Sequence, residues 1–88
     1  MKAKIVEHRF GVHKDFTLNL PQYTNINLVK IGNACPCLVL IVSDNDIIVQ
    51  RTFRVIKTGQ SFDLSGMKYI ASFSLTDDGV KYHLFELI

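Results

Sequence analysis

Pro36-Cys37-Leu38-Val39-Leu40-Ile41-Val42 runs into Asp44-Asn45-Asp46 and out again through Ile47-Ile48-Val49-Gln50-Arg51-Thr52-Phe53-Arg54-Val55-Ile56-Lys57-Thr58-Gly59. The first stretch is apolar at every position, which predicts a strand covered on both faces. In the second, Phe53 and Val55 alternate with Thr52 and Arg54, which predicts a strand with one buried and one exposed face. The pair reads as two long strands side by side, joined by a turn at Asp44-Asn45-Asp46: a buried central strand and its half-exposed neighbour.

Outward from this pair the chain continues in strands. Lys2 to Phe10 changes parity between Ala3-Ile5 and Val6-His8-Phe10, the pattern of a bulge or an edge strand. Phe16, Leu18 and Leu20 point inward against Thr17 and Asn19 until Pro21 ends the run. Tyr23 to Ile31 also changes parity, from Ile26-Leu28 to Val29-Ile31, so one extra residue is expected near Leu28. Gly32-Asn33 is a turn signal. Gln60 to Met67 reads as a connecting loop anchored in the middle by Phe62 and Leu64. Lys68 to Leu75 places Tyr69, Ala71, Phe73 and Leu75 on one face, and after Asp77-Asp78-Gly79 the chain returns as Val80 to Ile88, a hairpin. Alanine is scarce and no window of a dozen residues carries a helical stripe. Residues 1–88 therefore predict a single all-β domain, a small antiparallel β-sandwich or a partly open barrel of about seven strands. On the same parity, Phe10, Phe16, Phe53, Tyr69, Phe73 and Phe85 belong to the core.

Composition excludes several classes. Hydrophobic residues make up 48% of the 88 and charged residues 20%, a balance that folds rather than stays disordered. So short a chain buries only about two-thirds of its extended surface, and a homo-oligomer is expected. A formal charge of +2 is too small for a nucleic-acid footprint. The start of the chain becomes charged again before an apolar segment grows into a signal peptide, and no run reaches transmembrane length. A cytoplasmic, reducing setting is expected, with no membrane contact. Cys35 and Cys37, two apart on one strand, share a face and are read as free thiols. With His8, His13 and His83 scattered, no metal site or cofactor is expected. Asp44-Asn45-Asp46 lacks the following glycine and closing glutamate of a calcium loop.

The residues that carry candidate chemistry are Arg51, Lys57, Thr58, Gly59 and His83. Arg51 shares parity with Phe53 and Val55 and so points to the core or its rim, where a guanidinium needs a partner. It is either an anion clamp or one half of an ion pair with Glu86, Asp46 or Asp63. Thr58-Gly59 offers backbone N–H groups and a hydroxyl that suit an anion, with Lys57 beside them, although a plain strand end has the same composition. His83 lies on the parity opposite Glu86, so no acid–base pair is legible, and no catalytic residue is assigned. Tyr82 between Lys81 and His83 is the one local arrangement that fits base stacking.

Pro36-Cys37-Leu38 before a long apolar strand, Arg51-x-Phe53-x-Val55-x-x-Thr58-Gly59, Tyr69-Ile70-x-x-Phe73 and His83-Leu84-Phe85-Glu86 together resemble a small domain family found largely in bacteriophage and prophage genomes. Leu20 to Glu86 carries the resemblance. That family often has Trp after Pro-Cys-Leu and His after Thr-Gly, where this chain has Val39 and Gln60. The second difference argues against a shared catalytic histidine there. The resemblance implies a small phage-type accessory protein made in the bacterial cytoplasm. The expectation is a non-enzymatic binding protein whose partner is a host protein or a small anionic, nucleotide-like ligand. Counter-defence is one setting for such capture. The alternative is a structural or assembly component of a phage particle; a small hydrolase using His83 with Glu86 or Asp63 is a third reading.

Overall fold

The computed structural model of the protein describes residues 2–32, 35–44, 47–75 and 79–88. Its strands are β1 (Ala3–Arg9), β2 (Phe16–Pro21), β3 (Asn25–Gly32), β4 (Cys35–Ser43), β5 (Ile48–Lys57), β6 (Met67–Ser74) and β7 (Lys81–Leu87). They form two antiparallel sheets, of order β1-β4-β3 and β2-β5-β7-β6, which face each other across one core. The architecture is a β-sandwich, so the barrel alternative is not adopted. The expected turns at Gly32-Asn33, Asp44-Asn45-Asp46 and Asp77-Asp78-Gly79 each fall partly outside the described residues; of the last, Gly79 takes a φ of +81°.

β4 is a central strand, as its composition predicts, but β5 does not lie beside it. β1 and β3 flank β4, while β2 and β7 flank β5 in the other sheet. The physical reason is cover. Leu38, Leu40 and Val42 pack in one cluster with Phe53 and Leu84, and Phe53, Leu38 and Leu84 have 0% of their surface exposed. Paired edge to edge, β4 and β5 would present these apolar faces on one side of a single sheet with nothing opposite. Crossing between sheets sets them against each other, and alternation alone does not distinguish the two arrangements.

The two parity changes in the sequence have different outcomes, and one bulge has no such signal. β3 slips register between Ile26 and Leu28, the bulge expected there. β1 keeps an unbroken register from Ala3↔Ser43 to Arg9↔Cys37 at the edge of its sheet, so its irregular pattern marks an edge strand. β6 carries an unexpected bulge between Tyr69 and Ala71. Tyr69 pairs with Phe85, whereas Ala71 and Phe73 pair with Leu84 and Tyr82; the extra residue turns Tyr69 away from the core. The core aromatics are thus Phe10, Phe16, Phe53 and Phe73, linked by ring contacts of 4.9–5.7 Å. Tyr69 and Phe85 occupy the opposite face of the four-stranded sheet.

The half-buried outer face of β4 is shielded by charge. Glu7 of β1 stands opposite Val39, Lys30 of β3 stands opposite Cys37, and their ion pair spans the strand at 3.2 Å. Cys35 and Cys37 are both free thiols. Across the molecule Arg54 of β5 holds Asp15 through Nε at 3.0 Å and Nη2 at 2.7 Å. These hydrogen bonds lower the Asp15 carboxyl below its ordinary range, burial opposing and the charge of Arg54 assisting. A carboxyl depressed in the folded state stabilises the fold above its unfolded value of about 4 and loses that contribution as pH falls through the folded value. Arg54→Gln is therefore expected to be less stable than the parent at neutral pH and to converge on it in acid, measured by urea unfolding between those limits.

No helix among the described residues is long and apolar enough to cross a membrane.

Candidate functional site

The loop from Thr58 to Gly66 leaves β5, folds over the outer face of the four-stranded sheet and enters β6 on its far side. Thr58 N–H donates to the Lys81 carbonyl at 3.0 Å, and Gln60 N–H donates to the Lys57 carbonyl at 3.0 Å. The Gln60 side chain closes the same turn by accepting from Lys57 N–H at 3.2 Å. Gly59 completes it at φ +93°, the left-handed region that glycine enters without strain. At the far end Asp63 Oδ1 accepts from Ser65 N–H at 2.9 Å, and Ile88 N–H donates to the Gly66 carbonyl at 2.8 Å.

Under this loop lies a cleft of about 290 Å³. Its floor is Ile56 and Phe85, 4% and 5% exposed. Phe62 and Tyr69 form the walls, their ring centroids each 5.2 Å from Phe85, with Tyr69 edge-on at 88°. Both walls remain open to solvent, at 44% and 52%. This is a cradle of three rings with room between its sides. The β6 bulge creates it, because an unbulged strand would point Tyr69 into the sandwich.

His83 closes one end. Its Nε2 lies 2.7 Å from Thr58 Oγ1 and its Nδ1 lies 3.0 Å from Tyr69 Oη. A neutral imidazole has one donor and one acceptor nitrogen, so the three groups form a directional chain. Whichever way it runs, the chain leaves one hydroxyl proton unused: that of Tyr69 when Thr58 donates to His83, that of Thr58 in the reverse sense. Lys57, Thr58 and Gly59 border the same opening; Thr58 N–H and Gln60 N–H are already bonded within the turn, and Lys57 alternates with the floor residue Ile56, so it stands at the rim of the opening. The arrangement provides stacking surface and hydroxyl groups side by side, with Lys57 at the rim.

Four of the five predicted residues, Lys57, Thr58, Gly59 and His83, therefore meet in one place. Arg51 does not join them. It stands six residues before Lys57 on β5, roughly 20 Å away at strand rise, and its reading as a clamp in the same donor group is corrected. Arg51 Nε and Nη2 each donate to a Glu86 oxygen at 2.6 Å, and Nη1 donates to the Thr24 carbonyl at 2.6 Å. The two side chains are only 19% and 10% exposed. Bidentate bonding by Glu86 raises the Arg51 pKa against the opposing effect of burial. The guanidinium lies 6.0 Å from the centre of the Phe53 ring, so Arg51 ties β5, β7 and the β2–β3 corner together at the opposite end of the sandwich. This is the ion-pair reading, with Glu86 as the partner.

The carboxylates that a hydrolase reading pairs with His83 are engaged elsewhere, Glu86 with Arg51 and Asp63 with Ser65. Thr58 and Tyr69 are the hydrogen-bond partners His83 makes among the described residues. Sequence reasoning missed Tyr69 and Phe85 as cleft residues because strand parity assigned both to the core. It identified Phe62 as a loop anchor without showing what it covers. Gln60 braces the turn through its side chain.

The chain belongs to DUF7352, a domain of unknown function, whose family model matches residues 1–88. The match therefore includes every strand from β1 to β7. No curated protein and no solved structure matches the chain.

Proposed function

We propose that this protein is a small phage-type accessory protein that works by capture rather than turnover, its ligand being a small anionic molecule with a planar ring, such as a nucleotide. The observation that carries this reading is the cradle of Phe62, Phe85 and Tyr69 beside the Thr58–His83–Tyr69 chain and Lys57. Aromatic walls accept any π-face, and stacking contributes about 1–3 kcal/mol per base. The free hydroxyl donor fixes orientation, and Lys57 with the Gly59 turn receives the negative group. Counter-defence by sequestration of a signalling nucleotide is the setting such chemistry serves.

A homo-oligomer belongs to the same proposal. The chain exposes 5913 Å², against about 5,200 Å² for an average monomer of this mass. Tyr23 just after β2, Ile47 just before β5 and Ile48 at its start are 76%, 57% and 57% exposed. Particle assembly by edge addition is less well supported, because β3 and β6 are bulged edges and the unbulged edge β1 carries lysine, and both features oppose pairing between copies.

A thermal-shift panel of mononucleotides, cyclic nucleotides, nucleosides and inorganic phosphate tests the capture. A bound nucleotide at about ten times its Kd adds about 1.4 kcal/mol, which is roughly 6–11 °C in Tm for a domain of this size. Phe62→Ala is expected to abolish the nucleoside contribution and Lys57→Gln the phosphate contribution. An unmoved Tm across the panel, or a rise that persists when both are changed, would count against the proposal.

A further inference from the structure

Four strands are sheet edges: β1 and β3 in one sheet, β2 and β6 in the other. Three of them are blunted. β3 and β6 carry bulges, and β2 ends in Pro21, which has no N–H. β1 has neither device; Ala3–Arg9 runs in unbroken register with β4. The bonds from Phe10 N–H to the Pro36 carbonyl and from Asp44 N–H to the Lys2 carbonyl fix which backbone groups are already used. In an antiparallel ladder of this phase, Lys4, Val6 and His8 bond to β4. The N–H and C=O groups of Ala3, Ile5, Glu7 and Arg9 consequently face away from it.

The unpaired charge on β1 and the residues that flank it in sequence has one sign. Lys2, Lys4, Arg9 and Lys14 make no ion pair among the described residues, whereas Glu7 and Asp15 are committed to Lys30 and Arg54. Asp44 lies beside Lys2 and Lys4 and pairs with neither. Exposed lysines usually protect an edge from unwanted pairing, and here they oppose a second copy of the chain. An antiparallel copy centred on Val6 would bring Lys4 against His8 and add more positive charge. The same residues attract an acidic strand, so the edge discriminates by charge while its backbone remains available.

We propose that β1 is a docking strand for an acidic, extended segment of a partner protein, which adds to the β1-β4-β3 sheet through the outward groups of Ala3, Ile5, Glu7 and Arg9. Lys4, Val6 and His8 share one face two residues apart, so the fitting segment carries an acid, an apolar residue and an acid at alternate positions. Main-chain bonds supply affinity in this mode and alternate side chains supply specificity. The site is separate from the aromatic cleft and does not depend on it.

The probe is a short blocked peptide containing Glu-Thr-Val-Thr-Glu, with Lys-Thr-Val-Thr-Lys as its control, titrated into the full chain at low salt and followed by amide NMR and hydrogen exchange. Expected are saturable binding of the acidic peptide, new protection at the amides of Ala3, Ile5, Glu7 and Arg9, and at least tenfold weaker binding of the lysine peptide. Ile5→Pro removes an outward N–H that β4 does not use and should weaken binding at least tenfold; Lys4→Glu should do the same with the backbone intact. Several results would overturn the proposal: no protection at those amides in the parent protein, equal binding of both peptides, or protection that rises with protein concentration alone and so identifies a second copy. Binding of single-stranded DNA at the same lysines, unaffected by Ile5→Pro, would likewise replace it with a simple electrostatic patch.

Discussion

Replacing Glu86 with alanine is expected to destabilise the fold by about 3–5 kcal/mol, because it leaves the Arg51 guanidinium enclosed without its carboxylate. A domain of 88 residues has roughly 4–13 kcal/mol in total, so the variant should sit near the edge of folding. The loss arises from an uncompensated charge and not from the net worth of the pair. Two atoms of Arg51 contact Glu86 and a third contacts the Thr24 carbonyl. Without Glu86, Thr24 is the remaining hydrogen-bond partner shown for this guanidinium. Exchanging both partners for apolar residues of similar volume, Arg51→Met with Glu86→Leu, is therefore expected to recover most of the loss. Urea unfolding of the single and double variants checks this; a double variant no more stable than Glu86→Ala would show that the pair supplies shape or bonds beyond charge compensation.

Phe53→Ala should cost a similar amount, about 3–5 kcal/mol, by lost burial and by the cavity left behind. Phe53 has 0% of its surface exposed, stacks on Phe16 at 5.1 Å and lies beneath Arg51. Its side chain also fills the space between β4 and the four-stranded sheet, so the neighbours can relax only by bringing the sheets closer. Phe53→Leu keeps most of the volume and should lose much less. Phe53 and Glu86 are register partners, and a double-mutant cycle between them should show coupling rather than additivity. Equal unfolding midpoints for Phe53→Ala and the parent would contradict the core described above.

Much of this fold was legible in the sequence. Alternation located most strands and a continuous apolar run located β4, while the parity change near Leu28 announced the β3 bulge. The β6 bulge gave no such signal: Tyr69, Ile70 and Ala71 suit either face, so the strand reads equally well with or without the extra residue. The sheet partners of β4 and β5 were hidden for a related reason, since an apolar face is satisfied by a neighbour across the core as well as by one beside it. The site was half legible. Thr58, Gly59 and His83 are recognisable by their chemistry, whereas their meeting with Phe62, Tyr69 and Phe85 depends on the path of the loop and on that bulge. Arg51 declared its need for a partner by parity, but its separation from Lys57 follows only from the length of β5.

The most direct measurement of ligand capture is an NMR titration of the full chain with a mononucleotide, following the Gly59 amide, the His83 imidazole and the Phe62 and Phe85 rings. The cleft predicts saturable shifts confined to these groups and to Tyr69, with the Arg51 and Thr24 signals unmoved. Unchanged spectra at millimolar nucleotide, or shifts centred on the Arg51 end of the sandwich, would contradict it.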